Sequence, residues 1–213
     1  MSLSEWRKQK LSSHPLQSLY YFSKINNLSS ILKNGILPKN TVTNSVFSSE
    51  SFAEESVQEK RHRKIIELSN NSEIPLHDLV PLYMTPKTPT LSARRNIQSE
   101  IFFVEVSLSV IWDGSKEFAF TDGNAGANET RFFHSLYKLA EIPWNVIAAP
   151  YWNEHEDGRR KRCSEFLIYP SIEPSYFKRL VVVNDIARNN CESIAKRAGF
   201  KIAIDTVPQF FFT

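Results

Sequence analysis

Glu165 enters an apolar run, Phe166-Leu167-Ile168, directly after the basic stretch Arg159-Arg160-Lys161-Arg162. A carboxylate in that setting has two readings. It is a solvent-facing strand residue paired with a neighbouring arginine, or it is a general base or ribose-hydroxyl ligand held at a strand edge beside a cationic platform. A second cluster, Lys60-Arg61-His62-Arg63-Lys64, follows Glu59. It reads as a solvated helix face with i,i+4 pairs such as Glu59 to Arg63, or as a segment turning one arginine inward. The planar fork of arginine suits a pyrophosphate, which it can bind through two bonds. The third feature is His77-Asp78 ahead of Val80-Pro81-Leu82-Tyr83. It is a polar strand entry, with Tyr83 either in the core or on a stacking surface.

Other chemistries lack their residues. No Walker loop, G-x-G-x-x-G, G-x-S-x-G or H-E-x-x-H occurs in the chain. His14, His62, His77, His134 and His155 show no ligand spacing, which argues against a metal. Cys163 and Cys191 lie far apart and form no C-x-x-C pair, which fits a reducing compartment. No apolar run approaches the roughly 20 residues of a membrane span, and Met1 to Ser13 lacks the apolar core of a signal peptide. A cytoplasmic protein without a membrane partner is expected. The 213 residues fit one domain, 1–213, and the net charge of +3 is too small to specify a polyanionic partner without local clusters.

The elements that must carry these side chains read as α+β. Strands are expected at Leu19–Ser23, Leu79–Thr85, Ile101–Ile111, Glu117–Thr121, Asn145–Trp152, Cys163–Tyr169, Leu180–Asn184, Lys201–Thr206 and Gln209–Phe212. Helices are expected after Asn27 with Gly35 as the stop, from Ser51 through Glu67, over Glu129–Glu141 and over Asp185–Ala198. Composition and periodicity choose no reaction.

At the same segments the chain resembles the DarT family of bacterial toxins that ADP-ribosylate DNA. The matching stretches are Tyr20-Tyr21-Phe22-Ser23-Lys24-Ile25-Asn26-Asn27-Leu28 with Ile31-Leu32 and Gly35, then Val57-Gln58-Glu59-Lys60-Arg61-His62-Arg63. They continue with His77-Asp78 and Val80-Pro81-Leu82-Tyr83, Phe120-Thr121-Asp122, Arg131-Phe132-Phe133, Trp144, Tyr151-Trp152 and Ser164-Glu165-Phe166-Leu167. They fall in the family's order from about residue 19 to 170, and the ordered set is more specific than any one piece.

The resemblance implies an ADP-ribosyltransferase fold, related to the PARP and toxin enzymes, with a split, twisted β core. It implies NAD as substrate and no metal. Glu165 matches the catalytic glutamate and Arg61 the catalytic, NAD-contacting arginine. Tyr21, Phe22, Ser23, Ser30 and Pro38 match further NAD-contacting positions. Residues of about 43–63 match the loop-helix over NAD, and about 124–165 the substrate-recognition region. The rim Arg159, Arg160, Lys161, Arg162, with Asn124, would meet nucleic acid. The implied partners are single-stranded DNA, or RNA, and an antitoxin on a separate chain, a macrodomain hydrolase. Two positions depart from the family: Tyr21 stands where a histidine begins the first motif, and Asn124 replaces a histidine in the substrate loop. A catalytically silent single-strand-binding module, a protein-directed transferase and a metal nuclease are the competing readings.

Overall fold

The computed structural model describes residues 1–43, 61 and 64–213. Ten strands are described: β1 (Leu19–Lys24), β2 (Ile65–Glu67), β3 (Glu73–Pro75), β4 (Val80–Tyr83), β5 (Ile101–Val106), β6 (Glu117–Thr121), β7 (Phe132–Phe133), β8 (Glu165–Tyr169), β9 (Phe177–Val182) and β10 (Ile204–Thr206). Eight form one sheet in the order β10-β9-β5-β1-β4-β8-β6-β7, and β2 pairs with β3 apart from it. Every pairing in the large sheet is antiparallel except β10 with β9.

The seam between β1 and β4 positions the site. β1 matches β5 at six register positions but β4 at one, Tyr20 opposite Tyr83. The sheet is therefore continuous in strand order and divided in the middle, which is the form the expected split core takes.

Alternation along β1 sends its side chains to two cores. Leu19 and Tyr21 join the large cluster with Val104, Phe120, Phe166 and Leu180, while Tyr20 and Phe22 join Phe103, Val181 and Phe211. β5 is buried at all six residues, as expected of a strand covered on both faces. The helix Asp185–Arg197 begins at Asn184, whose side chain accepts from the Ala187 N–H, and it buries Ala187, Cys191 and Ala195.

Gly35 ends the helix Leu28–Asn34 at φ 78°, a conformation that costs a side chain little only when that chain is hydrogen. A Cβ there would also press on the carbonyl of Ile172, at the point where Ile36 bridges to Ile172. Gly35→Ala is expected to destabilise the fold by about 2 kcal/mol or more, combining the left-handed backbone with the clash. A urea titration showing an unchanged midpoint would contradict this.

Several expected elements are replaced. Glu129–Glu141 is not a helix: β7 pairs with β6, Phe133 opposite Phe120 and Phe132 opposite Thr121, and a 3-10 helix follows over Leu136–Glu141. Strand pairing and the bonds of Arg131 to Asp122 outweigh the helical spacing of the apolar residues. The strand expected over Asn145–Trp152 is replaced in its first half by a helix, Trp144–Ala148, that follows Pro143. Gln209–Phe212 holds a 3-10 turn led by Pro208. The strand from Ile101 stops at Val106, because the Ser107 hydroxyl accepts from the Ser109 N–H and turns the chain into a short helix. Of the helix expected from Ser51 through Glu67, most lies outside the described residues, and Ile65–Glu67 is strand. The first residues form a helix that was not among the expected elements, Leu3–Ser12, opened by a Ser2–Glu5 capping box. Among the described residues no helix is long and apolar enough to cross a membrane.

Candidate functional site

Glu165 opens β8 directly opposite Tyr83, the last residue of β4. Opposed residues in an antiparallel pair share a face, so Glu165 lies on the side where Phe22 stacks on Tyr83 at 5.8 Å. Its side chain is 1% exposed and is paired to Arg61, 104 residues earlier. Both guanidinium nitrogens donate, Nη1 to Oε1 at 3.3 Å and Nη2 to Oε2 at 3.1 Å. The solvent-facing reading of Glu165 is therefore wrong, and its partner is not one of the adjoining arginines. Burial works against the Arg61 charge, but the Glu165 carboxylate outweighs it and leaves the guanidinium pKa raised.

The carboxylate is held from a third side. The Ala125 N–H donates to Glu165 Oε1 at 3.2 Å, and the Glu165 N–H donates to Thr121 Oγ1 at 3.0 Å. Lys64 donates to the carbonyls of Ala125 and Ala127 at 2.9 and 2.6 Å. Burial comes first in lowering the Lys64 pKa, and the Arg61 charge adds to it. Thus one short segment supplies both Arg61, which grips the carboxylate, and Lys64, which grips the loop donating to it. Tyr83 Oη donates to Thr90 Oγ1 at 3.2 Å, and Thr90 lies 3.7 Å from Cys163 Sγ. Burial raises the Cys163 thiol to about 11, so it stays protonated.

The basic rim divides. Arg159 is exposed. Arg160 donates to Asp122, Thr130 and Asp157, and its backbone carbonyl accepts from the Asn124 N–H. It therefore shapes the loop that carries Asn124. Lys161 donates to the Glu156 carbonyl. Arg162 is 5% exposed. Its guanidinium donates to the carbonyls of Lys87, Val146, Ile147 and Ala149. The reading of Arg162 as a backbone-tracking rim residue is corrected, because its donors are used inside the fold.

The expected NAD set also divides. Tyr21 packs on the core face opposite Phe22; burial raises its phenol pKa and a hydrogen bond with Ser23 opposes the rise. Ser23 is buried and accepts from Asn27 Nδ2 at 2.9 Å. Ser30 accepts from Asn34 Nδ2, and Pro38 is buried ahead of the helix Lys39–Thr43. Most of the expected loop-helix of about 43–63 lies outside the described residues. The donor set suits NAD: an aromatic pair for a planar ring, a buried cation for a pyrophosphate, and a carboxylate for a ribose hydroxyl. Among the described residues no group of three metal-ligating side chains occurs. The roles of Thr121, Ala125 and Lys64 carry no signal in the sequence: Ala125 acts through its backbone N–H, Lys64 bonds backbone carbonyls, and Thr121 is one hydroxyl among many.

The family profile described as "ssDNA thymidine ADP-ribosyltransferase, DarT" matches residues 20–212. The chain belongs to the DarT family. A DNA ADP-ribosyl transferase of Thermus sp. (strain 2.9) is 29% identical over 171 residues, 77% of this chain and 80% of its own length. The structure of Thermus sp. 2.9 DarT in complex with ADP-ribosylated ssDNA superposes with a TM-score of 0.83 at 25% identity, over 93% of this chain and 98% of that one. A Thermosipho africanus DNA ADP-ribosyl transferase–DNA ADP-ribosyl glycohydrolase fusion is 26% identical over 92% of this chain and 50% of the fusion. The DarT fold thus fits the α+β reading, and the buried Arg61–Glu165 pair lies in a chain of a DNA ADP-ribosyltransferase family.

Proposed function

We propose that this DarT-family chain transfers ADP-ribose from NAD to a thymidine base in single-stranded DNA, acting in the cytoplasm as the toxin of a toxin–antitoxin or phage-defence pair. The Arg61–Glu165 pair, buried where the sheet divides, is the observation that carries the reading. The bond that breaks joins C1′ of the nicotinamide ribose to the nicotinamide nitrogen. Nicotinamide leaves neutral with the bonding pair, and positive charge develops on the ribose. Glu165 stabilises that charge and bonds the 2′-hydroxyl, in a site where low dielectric strengthens the effect. The new bond joins C1′ to a nitrogen of the base, whose proton passes to the carboxylate. Arg61 orients Glu165 and holds the pyrophosphate. Of the residues Tyr21, Phe22, Ser23, Ser30 and Pro38 assigned to NAD, Phe22 meets it through its ring on the Glu165 face, and Tyr21 and Ser23, whose side chains pack on the opposite face, meet it through the backbone of β1. Arg159 and the Asn124 loop face the strand. An unpaired base need not break a base pair and costs less to draw out of the stack, which favours a single strand. The fusion in Thermosipho africanus supports a glycohydrolase as antitoxin.

The test is transfer from labelled NAD to homopolymer oligonucleotides of each deoxynucleotide and to matched RNA. Label on the thymidine strand is expected. Equal labelling of RNA, or none on thymidine, would overturn the substrate assignment.

Lys64 acts on Glu165 through the Ala125 loop. Lys64→Met is expected to lower kcat on the order of 10- to 100-fold, since small misplacements of a reacting group are costly. The KM for NAD should change little, and Lys64→Arg should restore part of the rate. A Lys64→Met variant at full kcat would contradict this.

A further inference from the structure

With Arg160 and Arg162 committed to the fold, Arg159 is the exposed arginine of that stretch, and further cations beside the site come from elsewhere. The chain from Leu79 to Ser99 carries Lys87, Arg94 and Arg95 and no acidic residue. Two of these cations lie against one ring: Lys87 Nζ is 5.4 Å and Arg95 Cζ 5.1 Å from the centroid of Phe212. Trp152 meets the same ring edge-on at 5.7 Å. Beside Trp152, Tyr151 is 63% exposed, a large ring left in water. Phe212 is fixed by its N–H, which donates to the buried Gln98 Oε1 at 2.7 Å.

This cluster is anchored to the site. The Lys87 carbonyl accepts from Arg162 Nε at 2.8 Å, three residues before Glu165. Lys87 also follows Tyr83, the register partner of Glu165, by four residues, a span of at most about 14 Å. Rings that bases can stack on, interleaved with cations that phosphates can meet, suit a single strand of nucleic acid. We propose that Lys87, Arg95, Phe212, Trp152 and Tyr151 form a platform for the stretch of single-stranded DNA flanking the modified base. The proposal rests on the transferase reading above, and deepens it by naming where the strand runs beyond the reacting nucleotide.

A platform for the flank predicts a defect that depends on strand length. Transfer would be measured with thymidine-containing strands of about 4 and about 16 nucleotides, spanning the range of single-strand site sizes, for the wild type, Lys87→Ala/Arg95→Ala and Tyr151→Ala. On the long strand the double variant should raise KM on the order of tenfold with kcat retained. Its dependence of log affinity on log salt should be shallower by about 1.4, or 0.7 for each lost phosphate contact. Tyr151→Ala, which removes an exposed ring, should raise the long-strand KM severalfold. The short strand should respond little to either. An unchanged long-strand KM and salt slope, or an equal loss on both lengths, would overturn the platform. Anisotropy of the labelled long strand reads the same surface without turnover. If the wild type binds DNA through these residues but transfers nothing, the transferase reading falls and the platform stands.

Discussion

Glu165→Gln is expected to lower the rate of ADP-ribose transfer by about 10³, within the 10²–10⁴ range of a lost acid–base group. Glutamine keeps the shape and can still accept the Ala125 N–H through its carbonyl oxygen, but it removes the charge that meets the developing oxocarbenium. It also cannot take the proton from the base. The effect on stability is separable. Arg61 would lose a carboxylate that receives both of its terminal nitrogens, and its side chain is 12% exposed, so some water can compensate. The cost expected is about 1–3 kcal/mol, too little to empty the folded state of a domain stable by about 5–15 kcal/mol. Circular dichroism melting beside initial rates distinguishes the two. A rate within tenfold of the wild type would remove Glu165 from the chemistry.

The largest effect on stability is expected from Arg162→Ala. Its four acceptors are carbonyls on two separate segments, Lys87 after β4 and Val146, Ile147 and Ala149 near the helix Trp144–Ala148. Burial pushes the guanidinium pKa down, with the Cys163 thiol opposing. The cost of holding a buried cation is offset because Nε donates to one carbonyl while the two Nη1 hydrogens are shared among the other three, a fixed fork that no other side chain offers. Truncation leaves the carbonyls without donors, and the loss expected is about 3–4 kcal/mol. For a chain of this size that lowers Tm by about 6–16 °C. Arg162→Lys should rescue little, since an ammonium has three donors and no fork. A melting temperature unchanged in Arg162→Ala would contradict this account.

These two residues lie three apart in one basic-then-acidic motif, and the sequence could not separate their parts. Glu165 was legible as a carboxylate entering an apolar strand. Its burial and its partner were not, because Arg61 is brought to it by folding across 104 residues. Arg162 reads as a surface cation by type, and only the packing of Lys87 against the helix at Trp144 turns it inward. Strand β6 was read with its observed bounds, Glu117–Thr121, and the helix after Asn184 to within one residue at its end. Both have local signals, a bounded apolar run and a capping asparagine. The region 129–141 misled because Phe132, Phe133, Leu136 and Tyr137 fit a helical stripe. There, pairing to β6 and the Asp122–Arg131 bonds decide the outcome. The Ala125 and Thr121 contacts to Glu165 were illegible for a different reason. One is a backbone N–H, and the other is a hydroxyl among many.

Glu165, set by Arg61 at the divide of the sheet, is proposed to drive transfer from NAD to single-stranded DNA. The most direct measurement is label transfer from adenine-labelled NAD to a thymidine-containing single strand, wild type against Glu165→Gln, with released nicotinamide counted alongside. One nicotinamide released per labelled strand is expected with the wild type, and a loss of both by about 10³ in the variant. Nicotinamide release without labelled DNA, or equal labelling by the variant, would contradict it.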